Sequence, residues 1–340
     1  SDEWTKTLIA MLRNEGYKGK IVLGGYQISY ATLADLVTAY PEADLFLGMY
    51  AESSIIEAVR MARPAQPKYL ANSDYPVDFD ALPPLYASGL MPVRFGQQMV
   101  RMETKRGCPM KCTFCQYRDI STNKVHKINQ SRTLDDLKYL SQMNIGKINF
   151  TDAIFNSGSD YLEVTQHLKD LNVRSLLSFQ IRPEYLNSET GKQFLDLVKD
   201  LNVVLEFGFQ TSDPVENEAI QRYNHYEKID QAAQLVQERQ IPFEISLIYG
   251  LPHQTVDSFQ KSIDYSLALN PARVVAFPLM LYRGTPLYEQ KAHYAFQEEV
   301  IGEYNVPLVT SSHSFTRDEW DLMHGMAERL NVGFSLGRVV

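Results

Sequence analysis

The sequence predicts an α/β fold, with strands and amphipathic helices alternating through the longer C-terminal part and a smaller α/β unit ahead of it. Three observations carry that expectation. Strand-like stretches with period-two alternation are followed, six times over, by helical periodicity or a turn. All three cysteines, Cys108, Cys112 and Cys115, fall in one loop, "RGCPMKCTFCQYRD", directly after the first of these strands. The 340 residues, 44% hydrophobic and 22% charged, suffice for one large domain or two of moderate size.

Residues 1–75 read helix, strand, glycine turn, helix, strand, helix, which is a partial Rossmann-like order. "IVLGGYQIS" puts Gly24 and Gly25 at a strand end, where the missing side chains let a bound group approach the backbone. A proline-bearing linker over 76–96 includes "DFDALPPLYA", and the repeats run over 97–295. "QQMVRMETKRG" alternates as the first strand. "SRTLDDLKYLSQMN" places Leu134, Leu137, Leu140 and Met143 at helical spacing, with Ser131 or Thr133 as N-cap. "KINFTDAIF" and "DYLEVTQHLKDLN" form the second pair, "RSLLSFQIRPE" and "KQFLDLVKDLN" the third. "VVLEFGFQTSD" and "EKIDQAAQLVQERQ" form the fourth, "PFEISLIYGLP" and "VDSFQKSIDYSLALN" the fifth, and "RVVAFPLMLYRGTP" the sixth strand. The extension over 296–340 reads as a strand and a helix, with Thr316 and Glu319 as a capping box.

A net charge of −8 argues against general affinity for nucleic-acid backbone, and no basic or aromatic RNA-binding segment is evident. The longest apolar runs are far too short to span a bilayer. Three clustered thiols do not suit a disulfide framework and point to a reducing, cytoplasmic setting. A zinc site wants four protein ligands, and His126, the nearest histidine, lies outside finger spacing. An iron–sulfur cubane accepts three thiolates and leaves one iron open to a substrate or cofactor, which makes it the stronger reading.

C-x3-C-x2-C, with Phe114 just before the last cysteine, resembles the signature loop of the radical S-adenosylmethionine (SAM) superfamily. The resemblance implies a partial (β/α)6 TIM-like barrel and a [4Fe–4S] cluster on Cys108, Cys112 and Cys115. It implies SAM chelated by the open iron, cut by an electron from an external flavodoxin- or ferredoxin-type donor. "GFQTSD" is similar to the family's fourth-strand ending, which puts Gln210 and Ser212 near SAM. "IYGLPHQT" is similar to its fifth-strand "GLPGET", which puts the Gly250–Pro252 backbone at the adenine. Phe114, Gln180 and Arg182 join the cofactor-binding candidates. "FTDAIFN" stands where "GGEP" is common and resembles the "FxDDxF" of the branch with cobalamin-binding modules; Thr151 and Asp152 occupy the place of the SAM-amine ligands. Asp152 and Tyr117 are the catalytic candidates. Each has a structural alternative: Asp152 can cap a turn, Gln210 can be a satisfied core amide, and Arg182 can pair with Glu184 or Glu206.

The N-terminal unit resembles the latter part of that cobalamin module, with Gly24 and Gly25 on its glycine pair and Glu52 on one of its acids. It has no D-x-H-x-x-G loop and lacks the first strands of a complete module, so either an N-terminal segment is missing from this sequence or the unit is degenerate and structural. With every thiol on one cluster, no auxiliary cysteine-held cluster is available. The reaction class expected is methyl or alkyl transfer to an unactivated centre of a small molecule or peptide, with cobalamin as a further cofactor. The alternatives are a cobalamin-independent radical enzyme and a non-enzymatic iron–sulfur or zinc module.

Overall fold

The structure, a computed structural model, describes residues 2–117, 123–301 and 307–335, the last four by backbone alone. The N-terminal unit runs α1 (Asp2–Asn14), β1 (Val22–Leu23), α2 (Leu33–Ala39), β2 (Leu45–Leu47), α3 (Ser54–Arg60) and β3 (Lys68–Leu70). Its three strands form a parallel sheet in sequential order, and β3 extends the sequence expectation by one strand. Thr32 caps α2 by accepting from the Asp35 N–H at 3.2 Å. Leu36, Leu45 and Phe46 are fully buried on either side of the sheet.

β4 (Met99–Met102) opens the larger unit. The sequence suggested a longer strand, but the Asp152 carboxylate takes the N–H groups of Thr104 and Lys105 at 2.9 and 2.7 Å and turns the chain. β5 (Lys105–Arg106) then pairs antiparallel with β6 (His126–Lys127), a two-stranded ribbon that frames the cysteine loop. The repeats continue as α4 (Gln130–Ser141), β7 (Lys147–Phe150), α5 (Asp160–Asp170), β8 (Leu176–Ile181), a 3-10 turn (Pro183–Asn187) and α6 (Glu189–Val198). β9 (Val203–Gln210), α7 (Pro214–Ala219), α8 (Tyr226–Glu238), β10 (Phe243–Tyr249), α9 (Val256–Ala268) and β11 (Arg273–Pro278) complete them. The cap of α4 is Asn129, not Ser131 or Thr133, because the Asn129 side chain accepts the Ser131 N–H at 3.0 Å. Five helices end in left-handed backbone at a residue other than glycine just beyond their last turn, at Asn144, Asn172, Gln221, Gln240 and Asn270. Asparagine tolerates that conformation best among residues with a side chain.

All six strands are parallel, in the order β11-β10-β9-β8-β7-β4. Each neighbours the next in sequence, as a right-handed β-α-β succession produces. β4 and β11 do not pair, so the sheet is a partial barrel. Period two decides which residues face where. Along β9, Val203, Leu205, Phe207 and Phe209 are buried against the helices, while Glu206, Gly208 and Gln210 turn to the barrel interior. Phe150, Phe155 and Phe179 stack at 4.2–5.3 Å between sheet and helices, a core worth several kcal/mol per ring by the usual cost of deleting one, about 3–5 kcal/mol.

The chain closes with α10 (Pro286–Glu289), the hairpin β12 (Gln297–Val300) and β13 (Pro307–Ser311), and α11 (Arg317–Ser335). Thr316 and Glu319 exchange capping contacts at 2.7–3.3 Å. Trp320 and Met323 are buried against the barrel. Among the described residues no helix is long and apolar enough to cross a membrane.

Candidate active site

The three cysteines follow β4 and reach a cavity of about 280 Å³ inside the barrel. Gly107 makes this possible: its φ of +92° and the Lys124 carbonyl beside its Cα leave no room for a side chain at the entry to the loop. Cys108 and Cys112 are buried and Cys115 is half-buried. Burial pushes the Cys108 thiol up, while the Met110 N–H and the Arg222 and Arg182 charges oppose this. Among the described residues no three His, Cys, Asp or Glu side chains are grouped as ligands of a single metal ion. A cubane asks for something different, one thiolate on each of three irons. Three thiols spread along a cavity wall, with room beside them, fit that demand.

Phe114, Gln180, Arg182 and Gln210 line the same cavity. Gln210 holds φ at +69°, a left-handed strain at the end of β9, and its Oε1 is buried without a hydrogen-bond partner. Arg182 is buried and pairs with Glu184 at 3.1 Å, the structural partner rather than Glu206. Arg222, which the sequence reading passed over, is buried beside Cys112. It donates from Nη2 to the Gly208 carbonyl and leaves Nε without a partner. It sits in the turn between α7 and α8, where no periodicity marks it. Glu206 and Ser246 also line the cavity and were legible, being inward positions of strands that alternate.

Ser212, Gly250 and Pro252 do not line this cavity. Ser212 donates its N–H to Ser262 Oγ at 2.9 Å, tying β9 to α9. Gly250 has φ +88° and donates its N–H to Gln254 Oε1 at 2.6 Å. Behind both strand ends sits Glu216, fully buried, accepting from Thr211 Oγ1 at 2.5 Å, from Gln254 Nε2 at 3.0 Å and from the Ser258 hydroxyl. Burial pushes its carboxyl up to about 7 against these three donors.

Asp152 does not reach the cavity either. It is fully buried, spends Oδ1 on Thr104 and Lys105, and is raised by burial to about 6. The turn-capping alternative describes the Oδ1 contacts, while Oδ2 is buried without a hydrogen-bond partner. Thr151 bonds the Met102 carbonyl at 3.2 Å and accepts the Tyr117 hydroxyl on its own carbonyl. Tyr117 lines two cavities at once, and burial holds its hydroxyl well above the ordinary tyrosine range.

The second of these cavities, about 550 Å³, lies between the C-terminal ends of β1 and β2 and the loops after β4. Gly25 lines it with φ +99° and open space where a Cβ would stand. Gly24 does not line it. Tyr26, Leu47, Met49 and Ile55 give it apolar walls, and Glu52, Glu103 and Arg106 form an ion-paired group on one side. Gln116 is buried there with Oε1 unpartnered. No histidine is among its lining residues. The N-terminal unit is locked to the barrel by Arg283, which pairs with buried Asp2 at 2.8 Å, and by Gly284, which lies against the Tyr30 carbonyl.

Residues 102–266 match the family model described as the radical SAM superfamily. A relative from Streptomyces tokunonensis, the cobalamin-dependent radical SAM methyltransferase TokK, is 27% identical over 172 residues, which are 47% of this chain and 24% of that protein. The oxygen-independent coproporphyrinogen III oxidase of Thermostichus vulcanus is 36% identical over 104 residues, 30% of each chain. The chain spans 24–40% of the length of the curated relatives it matches. The solved structure of the cobalamin-dependent SAM radical enzyme OxsB superposes on 98% of this chain and 56% of its own, with TM-score 0.62 at 14% identity, a likeness of fold. Matched over the cysteine loop and four whole strands of the barrel, residues 102–266 carry a radical SAM domain.

Proposed function

We propose that this chain cleaves SAM reductively at a [4Fe–4S] cluster held by Cys108, Cys112 and Cys115, and transfers a methyl or alkyl group to an unactivated centre of a small molecule or peptide. Cobalamin is the further cofactor of this reading, seated in the cavity between the two units. The observation that carries it is the meeting of the thiol-lined cavity and the interdomain cavity at one side chain, Tyr117. TokK, by its name a cobalamin-dependent methyltransferase, supports the branch. When bound, the cluster supplies the electron that opens the sulfonium, and cobalamin supplies a carrier for the alkyl group.

The chain's own residues then divide the work. Arg222, desolvated and with Nε unused, offers a directed cationic donor for a carboxylate, and Gln210 offers an unpaired amide oxygen for an ammonium or hydroxyl. Phe114 and Ile154 give the cavity apolar wall that excludes water from a reactive radical. Gly25 and the tyrosine, leucine and methionine side chains around it suit a broad, largely apolar group lying against backbone. A second reading is radical chemistry without cobalamin; the match to an oxygen-independent coproporphyrinogen III oxidase, whose name carries neither cobalamin nor methyl transfer, keeps it in play.

Anaerobically reconstituted protein, given SAM, hydroxocobalamin and a strong reductant, separates these readings by its products. S-adenosylhomocysteine beside 5′-deoxyadenosine supports methyl transfer. Deoxyadenosine alone supports the second reading, and methylthioadenosine in place of both indicates aminocarboxypropyl chemistry.

A further inference from the structure

On the outer side of the cysteine loop lies a surface concavity of about 670 Å³. It has two exposed lysines: Lys111, from the loop itself, and Lys228, from α8. Neither makes an ion pair among the described residues. His225 and Tyr223 are exposed beside them, Tyr223 to 61%. Its one acid, Glu184, is buried and committed to Arg182 at 3.1 Å, and the exposed Glu218 and Glu227 of the adjoining helices do not line it. On a chain of net charge −8, an unpaired positive face around an exposed aromatic ring is a local reversal of sign.

Its position gives that reversal a use. Met110 and Arg182 line both this concavity and the thiol cavity, so one layer of side chains separates them. Pro109, Met110 and Lys111 lie between Cys108 and Cys112, so the surface is one to three residues from two thiols, on the order of 4–11 Å along the chain.

We propose that this face is the docking surface of an acidic one-electron carrier protein that reduces the cluster. The inference rests on the radical SAM reading above. One electron passes from the reduced carrier to the cluster; the carrier is oxidised by one and the cluster reduced by one, with no atom transferred. The charge complementarity is the argument for this occupant, and a small, transient interface of under about 1,200 Å² is what electron-transfer partners use.

The test uses the full reconstituted chain, with SAM cleavage driven either by a reduced flavodoxin and its reductase or by dithionite. The flavodoxin-driven rate is expected to fall about tenfold or more in Lys228→Glu and in the Lys111→Glu/Lys228→Glu pair, the size of electrostatic steering. The dithionite-driven rate and iron content stay unchanged, added salt slows only the flavodoxin-driven reaction, and Lys138→Glu on α4 alters neither. Lys228→Glu lies off the cysteine loop and keeps the test valid if the Lys111 change disturbs the cluster. An unchanged flavodoxin-driven rate, or an equal fall with both reductants, overturns the proposal. If dithionite drives no SAM cleavage in the wild type, the radical reading fails. Titration of flavodoxin onto wild type and Lys228→Glu at low and high salt then decides the surface, equal dissociation constants overturning it. A single-stranded RNA that binds in a Lys228-dependent way where flavodoxin does not would also overturn it, in favour of a nucleic-acid partner.

Discussion

Glu216 and Gln254 share a hydrogen bond of 3.0 Å with neither side chain reaching solvent. The bond ties the end of β9 to the loop after β10, since Gln254 also accepts the Gly250 and Leu251 N–H groups at 2.6 and 3.2 Å. The two strand ends that resemble SAM-binding positions thus hang on one buried carboxyl. That arrangement has a titration consequence.

The Glu216 carboxyl is raised from 4.5 to about 7 in the folded chain, with desolvation as the main cause. The folded state therefore binds more protons than the unfolded state between these values. Stability falls as pH rises through that window, by up to about 3 kcal/mol in total. Glu216→Gln removes the effect. Melting of the cluster-free protein from pH 4.5 to 9 is expected to show the variant gaining on wild type as pH rises, then a constant difference above pH 8. A difference that does not vary with pH would contradict the burial-driven shift.

Gln210→Gly tests whether the strain at φ +69° serves binding. Relief of the strain is worth about 1 kcal/mol, and the entropy cost of glycine is about 0.5–1 kcal/mol, so the melting temperature should barely move. SAM affinity, measured by titration of the reconstituted protein, is expected to drop about tenfold through loss of a buried polar partner. Unchanged affinity would make Gln210 a strand terminator and nothing more.

Arg222→Met keeps much of the side chain's volume and deletes its charge. With the guanidinium buried and Nε unpaired, SAM affinity is expected to fall at least a hundredfold, the loss of a desolvated carboxylate contact. Arg222→Lys should not restore it, because an ammonium lacks the planar fork. Cluster content by iron assay should stay within error of wild type. A loss of iron in the methionine variant would instead place Arg222 in cluster retention.

Gly284→Ala sets a methyl group against the Tyr30 carbonyl at a φ of +76°, where a side chain is strained as well as crowded. The barrel core does not include this contact, so SAM cleavage to deoxyadenosine should persist. Retention of cobalamin should drop sharply as the N-terminal unit shifts. Loss of both functions together would mean that the units do not respond separately.

Much of this was legible in the residues. The alternation in "VVLEFGFQ" and "FEISLIY" gives strand, direction of burial and polar cavity wall at once, because a strand's period is two. The cysteine spacing pointed to a radical SAM domain without any fold. Arg222 and Glu216 were not legible, since their roles come from burial by elements distant in sequence, and a lone arginine in a turn looks like solvent-facing charge. Asp152 reads both ways: it sits at a strand end where chemistry collects, its Oδ1 accepts two backbone N–H groups, and its Oδ2 is buried without a partner. The Asn129 cap lay one turn upstream of two hydroxyl residues that fit the same rule.

The most direct measurement of the central claim is cobalamin retention by the reconstituted wild-type chain, by gel filtration and visible absorption, with S-adenosylhomocysteine assayed in the same fractions. The account predicts about one cobalamin per chain and S-adenosylhomocysteine formed by those fractions. A protein that carries its cluster and cuts SAM to deoxyadenosine, yet elutes free of cobalamin, would contradict it.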